Sequence, residues 1–230
     1  ARRRQCLPRR AMVGVIRTMT HDPLVILDFE TTGLHPERGD RITEIGLVRI
    51  EAGRITDRYS SLANAGTRLS ASIQAYTGIT QRMVDEAPPV EDVLREAIAF
   101  IDQSTVVAHS AVFDQRFLLR ECRRARLGLV LEPVLCSMKL ARRLYPLLPG
   151  HSLADLARGL KLPSTELAHR AGVDAELTAH LVLRMLRDVL AWTDGQPVTA
   201  RLLRRLIQLP AAEVPVELEQ LRNAPLRLRA

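Results

Sequence analysis

The sequence predicts an α/β domain in which helices flank both faces of a mixed sheet. Three observations carry that expectation: three consecutive strand-like runs, a later change to alternating strands and helices, and a length of 230 residues, enough for one large core. Apolar residues make up 47% and charged residues 26% of the chain. No apolar run approaches the roughly 18 residues that a membrane crossing needs, so a membrane-spanning role is excluded. Collagen-like, prion-like and disulfide-scaffold classes fail on composition as well.

The elements follow in order. Leu24 to Phe29 is an apolar, β-branched run stopped by the polar turn Glu30-Thr31-Thr32-Gly33, which reads as a buried strand. Arg41 to Glu51 and Arg54 to Ala63 flank Ala52-Gly53, a short hairpin turn, so the first three strands are antiparallel. Pro88-Pro89 opens a helix over Val90 to Asp102, with Val93, Leu94, Ala97, Ile98 and Ile101 at helical spacing. Ser104 to Ala108 is a short buried strand, and Val112 to Arg126 a helix with Phe113, Phe117, Leu118 and Cys122 on one side. A strand precedes Ser137 and completes a five-stranded sheet. Helices follow over Ser137 to Tyr145, Ser152 to Leu160 and Ala171 to Trp192, the last long enough to cover a sheet face. Asp194-Gly195-Gln196-Pro197 breaks the chain before two weaker amphipathic segments, Val198 to Leu209 and Val214 to Leu221.

The net charge of +7 is unevenly placed. Residues 1–18 hold six arginines and no acid, residues 196–230 hold six arginines against three glutamates, and the stretch between is slightly acidic. Charge alone therefore does not establish a nucleic-acid surface. The expected division is a basic extension over 1–18, disordered or non-native, a body over 19–192, and a helical, basic tail over 193–230. Three cysteines without C-x-x-C spacing support neither a zinc site nor a disulfide framework and fit a reducing, cytoplasmic setting.

The chemistry concentrates in a few acids. Asp28 and Glu30 are one residue apart on a strand, so both carboxylates project from the same face while Phe29 points to the other. Two such charges repel one another unless a hard cation such as Mg²⁺ compensates them. Asp114 falls in the first turn of a helix just after a buried strand, where unpaired N–H groups favour an anion. His169 and Asp174 form His-x-x-x-x-Asp around the start of the long last helix. Taken singly, each also fits an ordinary surface acid or loop histidine. Together, four acids and a histidine at strand ends and helix starts are the components of a two-metal phosphoryl-transfer site, with histidine as the base for an attacking water.

Asp28-Phe-Glu30-Thr-Thr-Gly33, His109-Ser-Ala-Val-Phe-Asp114 and His169-Arg-Ala-Gly-Val-Asp174 resemble the three motifs of the DEDD exonucleases, the third in the form of the histidine subgroup. The intervening Arg41-Ile-Thr-Glu-Ile-Gly46, Tyr76-Thr-Gly-Ile-Thr80 and His151-Ser-Leu-Ala-Asp-Leu156 also look like that family, and the resemblance runs from about Pro23 to Leu190. It implies a ribonuclease H-like fold and a metal-dependent 3′-to-5′ exonuclease over 19–192, with DNA favoured over RNA. It implies two Mg²⁺ or Mn²⁺ ions held by Asp28, Glu30 and Asp174, with Asp28 bridging, Asp114 acting nearby through water, and His169 as general base. By the same resemblance Thr31, Thr32, Gly33 and Leu34 meet the 3′-terminal nucleotide, and Phe113 packs beside a base or in the helix core. Ser110 stands where the family often has Asn, and Cys136 where it often has Asp. The implied partners are a nucleic-acid 3′ end and a DNA polymerase or another replication or repair protein, for which the segment after Trp192 offers two docking helices. The alternatives are an RNA-trimming enzyme and a proofreading subunit that acts mainly by docking to a polymerase through the segment after Trp192. A catalytically dead binding module is disfavoured, since it has no use for four mutually repelling carboxylates.

Overall fold

A computed structural model describes residues 23–163 and 169–224. The expected 1–18 extension and the last two arginines of the basic tail, Arg227 and Arg229, lie outside the described residues.

Five strands form one sheet: β1 (Leu24–Thr31), β2 (Ile42–Glu51), β3 (Arg54–Leu62), β4 (Thr105–Ala108) and β5 (Leu135–Cys136), in the order β3-β2-β1-β4-β5. β1, β2 and β3 pair antiparallel, and β4 and β5 add in parallel on the other side of β1. The helices are α1 (Ala71–Thr77), α2 (Gln81–Asp85), α3 (Val90–Ile101), α4 (Ala111–Arg124), α5 (Ser137–Leu144), α6 (Leu153–Leu160), α7 (Ala171–Trp192), α8 (Ala200–Gln208) and α9 (Val214–Asn223).

Alternation along β1 divides the core in two. Leu24 and Ile26 join a cluster with Val182, Met185 and Leu186 of α7, while Val25, Leu27 and Phe29 join a second cluster with Val93 and Leu94 of α3 and Phe117 of α4. Both faces of the sheet are covered, which is why β1 reads as an unbroken apolar run rather than an alternating one. Leu203 and Leu206 of α8 and Val214 and Leu218 of α9 lie in the same cluster as Leu24, so these helices present their apolar stripes to the body of the domain.

The expected elements begin and end within two residues of those observed. β1 continues past Phe29 to Thr31, which keeps Glu30 inside the strand, and its register with β2 shifts directly after Glu30. Helices α1 and α2 were not expected. They are too short to show a period, and their signals are capping ones: Ser70 and Thr80 accept N–H hydrogen bonds from Ile73 and Met83, and Gly78 closes α1 at φ 72°.

Candidate active site

The sheet order reverses between β1 and β4: the chain leaves β1 toward β2 on one side and leaves β4 toward β5 on the other. A crevice at the carboxyl ends of such a strand pair is where open α/β sheets place their ligands. Here that crevice receives the end of β1, the first turn of α4 and the first turn of α7, bringing Asp28, Glu30, Asp114 and Asp174 together.

Oxygens of Asp28, Glu30 and Asp174 all lie within 4.8 Å of one another. Asp114 is buried beside them. The group is electrostatically unfavourable as it stands. Burial first, and then the charges of Asp114, Asp174, Glu30 and Glu44, push the Asp28 carboxyl well above the usual range. Burial, Asp174 and Glu44 push Glu30 up to about 7 against the opposing pull of Arg170. Asp114 rises to about 8, chiefly through burial, with backbone hydrogen bonds resisting. Asp174 is raised too, mainly by burial, although the His169 amide donates to its Oδ2 at 3.2 Å. A divalent cation among three such oxygen donors relieves both repulsion and desolvation, so the residues present fit a hard metal ion.

A second carboxylate pair shows how the fold distinguishes a site from a strut. Glu44 on β2 sits directly across from Glu30 in the sheet register, a juxtaposition that like charges normally make unfavourable. Arg170 resolves it with Nε at 3.0 and 3.1 Å and Nη2 at 2.6 Å from the Glu44 oxygens, and the Ala171 N–H donates to the same carboxylate at 2.9 Å. Glu44 is thus tied to the start of α7, leaving Glu30 free to face the crevice. Close approach completes the joint: a methyl group added to Gly46, the β2 partner of Asp28, would collide with the Ala171 carbonyl. Sequence reasoning quoted Glu44 and Gly46 only within a family-like stretch and missed their function, because the partners in the Glu44–Arg170 pair are 126 residues apart.

The turn after β1 forms one wall. Thr31 Oγ1 donates to the Gly33 carbonyl at 2.6 Å, Thr32 exchanges backbone and side-chain hydrogen bonds with Arg41, and Asp40 accepts from the His35 N–H at 2.8 Å. Beneath it, fully buried Glu121 accepts from Arg41 at 2.7 and 2.9 Å and from Arg124 at 2.7 Å, and Arg124 also donates to the carbonyls of Asp40 and Pro36. Leu34, at the tip, is 66% exposed. Phe113 stacks on Phe117 at 4.8 Å between ring centroids and packs against the α3 and α4 cluster, so the core half of its expected role is what the geometry displays.

His169 lies at the opposite wall with φ 65°, its ring against that of Tyr76, 4.0 Å between centroids. His109, from the second motif, is bound locally: Nδ1 lies 2.9 Å from Ser137 Oγ and Nε2 3.2 Å from the His151 carbonyl, and burial lowers its pKa to about 4. These contacts tie the end of β4 to the start of α5 and to the loop before α6.

Comparison with known proteins decides the family. The exonuclease family model matches residues 25–182. The chain belongs to the exonuclease family. The epsilon subunit of DNA polymerase III from Aquifex aeolicus is 33% identical over 165 residues, covering 72% of this chain and 81% of that protein. The PolC-type DNA polymerase III of Bacillus cereus is 36% identical over 174 residues, covering 76% of this chain but only 12% of that protein. A solved structure of exonuclease X in complex with 5′ overhanging duplex DNA superimposes with a TM-score of 0.62 at 31% identity, over 80% of this chain and 99% of the other. The ribonuclease H-like fold and the DEDD resemblance read from the three motifs both stand. Among the described residues no helix is long and apolar enough to cross a membrane.

Proposed function

We propose that this chain is a 3′-to-5′ exonuclease that removes nucleoside 5′-monophosphates from the 3′ end of a nucleic acid, DNA in preference to RNA. The observation that carries the reading is the convergence of Asp28, Glu30 and Asp174 from opposite ends of the family domain into one cluster, with His169 bonded through its amide to Asp174. Those three carboxylates would hold Mg²⁺ or Mn²⁺, two per site, which when bound supply charge stabilisation to the attacking and leaving oxygens. Asp114, buried among them, would orient water rather than coordinate directly.

His169 takes the proton of the attacking water. Its oxygen forms a bond to the terminal phosphorus, the bond from phosphorus to the penultimate O3′ breaks, and that oxygen recovers a proton from solvent. Thr31, Thr32, Gly33 and Leu34 hold the last nucleotide against the braced turn, with Phe113 behind them. The preference for DNA rests on the DNA-polymerase names of the relatives and on the DNA bound to exonuclease X. The same names support a polymerase or other replication protein as partner, with 193–230 as the candidate contact and 19–192 as the catalytic unit.

The test is digestion of end-labelled single- and double-stranded DNA and RNA with Mg²⁺ or Mn²⁺, beside a chelator and a His169→Ala control. Expected is stepwise loss from the 3′ end, faster on DNA, abolished by chelation. Cleavage that persists in chelator overturns the proposal, and faster removal from RNA replaces its substrate.

A further inference from the structure

Tyr76 is 61% exposed, too open for a core residue. Nevertheless its backbone is firmly fixed. Ser70 caps α1, the Gly78 N–H closes it onto the Gln74 carbonyl at 2.9 Å, and the Gln81 N–H of α2 donates to the Gln74 side chain at 3.0 Å. The Thr77 hydroxyl donates to the Ile73 carbonyl and accepts from the N–H of fully buried Ile79, which anchors both helices in a small cluster with Leu69 and Val84. The fixed helix presents the phenol ring to the crevice, near enough to Glu30 and Asp174 for both to act on its ionisation.

His169 is held differently. Its backbone is in the left-handed region, at φ 65°, and its amide hydrogen bond to Asp174 fixes the main chain without choosing a ring orientation. Among the described residues neither imidazole nitrogen has a hydrogen bond, and neither does the Tyr76 hydroxyl. What orients the imidazole is the ring contact, 4.0 Å between centroids at a tilt of 33°.

We propose that Tyr76 is a positioning residue for His169: its ring, carried on the braced α1–α2 pair, holds the imidazole facing Glu30 and Asp174 before substrate arrives. The inference rests on the exonuclease reading, in which His169 takes a proton from water. A restrained imidazole reaches its working orientation without a rotamer search, and an aromatic contact of this kind supports a rate effect of about three- to tenfold.

The test uses the full chain with Tyr76→Leu and Tyr76→Phe, a single-nucleotide excision assay, and proton NMR of the imidazole in the metal-free protein. Tyr76→Leu is expected to lower kcat about three- to tenfold with KM little changed, and Tyr76→Phe to restore it, since the face and not the hydroxyl makes the contact. The His169 ring-carbon proton should resonate upfield in wild type and in Tyr76→Phe and move downfield in Tyr76→Leu. Adding Tyr76→Leu to His169→Ala should cost nothing more. A raised KM at unchanged kcat, an unshifted resonance, or full additivity overturns the proposal; the first would make the ring a platform for a substrate base. Undiminished turnover in His169→Ala alone, with Tyr76 intact, would remove the base assignment itself. Full kcat in Tyr76→Leu beside a crippled His169→Ala defeats only the positioning role.

Discussion

The two walls of the crevice are built to different standards. The turn from Thr31 to Asp40 is underpinned by Glu121 with two arginines on it, a fully buried carboxylate whose two oxygens are both engaged by cations. The wall opposite hangs His169 on one amide hydrogen bond and one ring contact. Charge-assisted, desolvated hydrogen bonds hold geometry far more stiffly than an exposed stack. Under the proposed function, the side assigned to the nucleotide is therefore held by a buried ionic brace, while the side assigned to the proton depends on the ring contact with Tyr76 for its orientation.

Four predictions test that contrast. The largest effect belongs to neither wall: Asp28→Asn should remove Mn²⁺ binding in calorimetry and bring excision to background, since it replaces the central anionic donor with a neutral amide of which only one oxygen can face a cation. Retained binding would remove Asp28 from the ligand set. His169→Ala should lower turnover by about 10²–10⁴-fold, the usual worth of a general base, while leaving Mn²⁺ binding and the melting temperature nearly unchanged. Glu121→Ala should do the reverse, losing about 3–5 kcal/mol in denaturant unfolding because two arginines are left over a buried void, and raising KM more than it lowers kcat. If His169→Ala proves the more destabilising of the two, the contrast between the walls is wrong.

The smallest effect is in pH. Glu30 and Asp114, raised to about 7 and about 8 in the folded protein from ordinary values of 4.5 and 3.8, bind more protons folded than unfolded across that interval. Stability of the metal-free protein should therefore fall as pH rises from about 5 to 8. The trend should flatten on adding Mn²⁺, which takes over from the protons. Melting curves in chelator and in Mn²⁺ at several pH values measure it, and a rise with pH in chelator would contradict the crowded-carboxylate picture.

What could be read in advance divides along the same physical lines. β1 announces itself as an unbroken apolar run closed by a polar turn, and the hairpin, α3, α4 and α7 by apolar spacing and turn signals along their length. The pairing of Asp28 with Glu30 on one face followed from the alternation of side chains along any strand. Asp114 and Asp174 were legible as first-turn acids, and His169 by its spacing from Asp174. Through-space partners were not: nothing near Glu44 in the chain names Arg170, and nothing near His169 names Tyr76. Helices α1 and α2, fixed by caps instead of a stripe, carried Tyr76 into the site unseen.

The bare backbone of Gly46 beneath the start of α7 has a consequence for anyone re-engineering this domain. Separation between the strand acids and Asp174 is gauged there by main chain resting on main chain, with no side chain in between whose rotamer could absorb an error. Repacking the hydrophobic layers elsewhere leaves that gauge untouched, whereas even alanine at position 46 would prise the helix off its seat and widen the ion-binding gap. Tolerance to mutation should thus be low even at a residue that performs no chemistry.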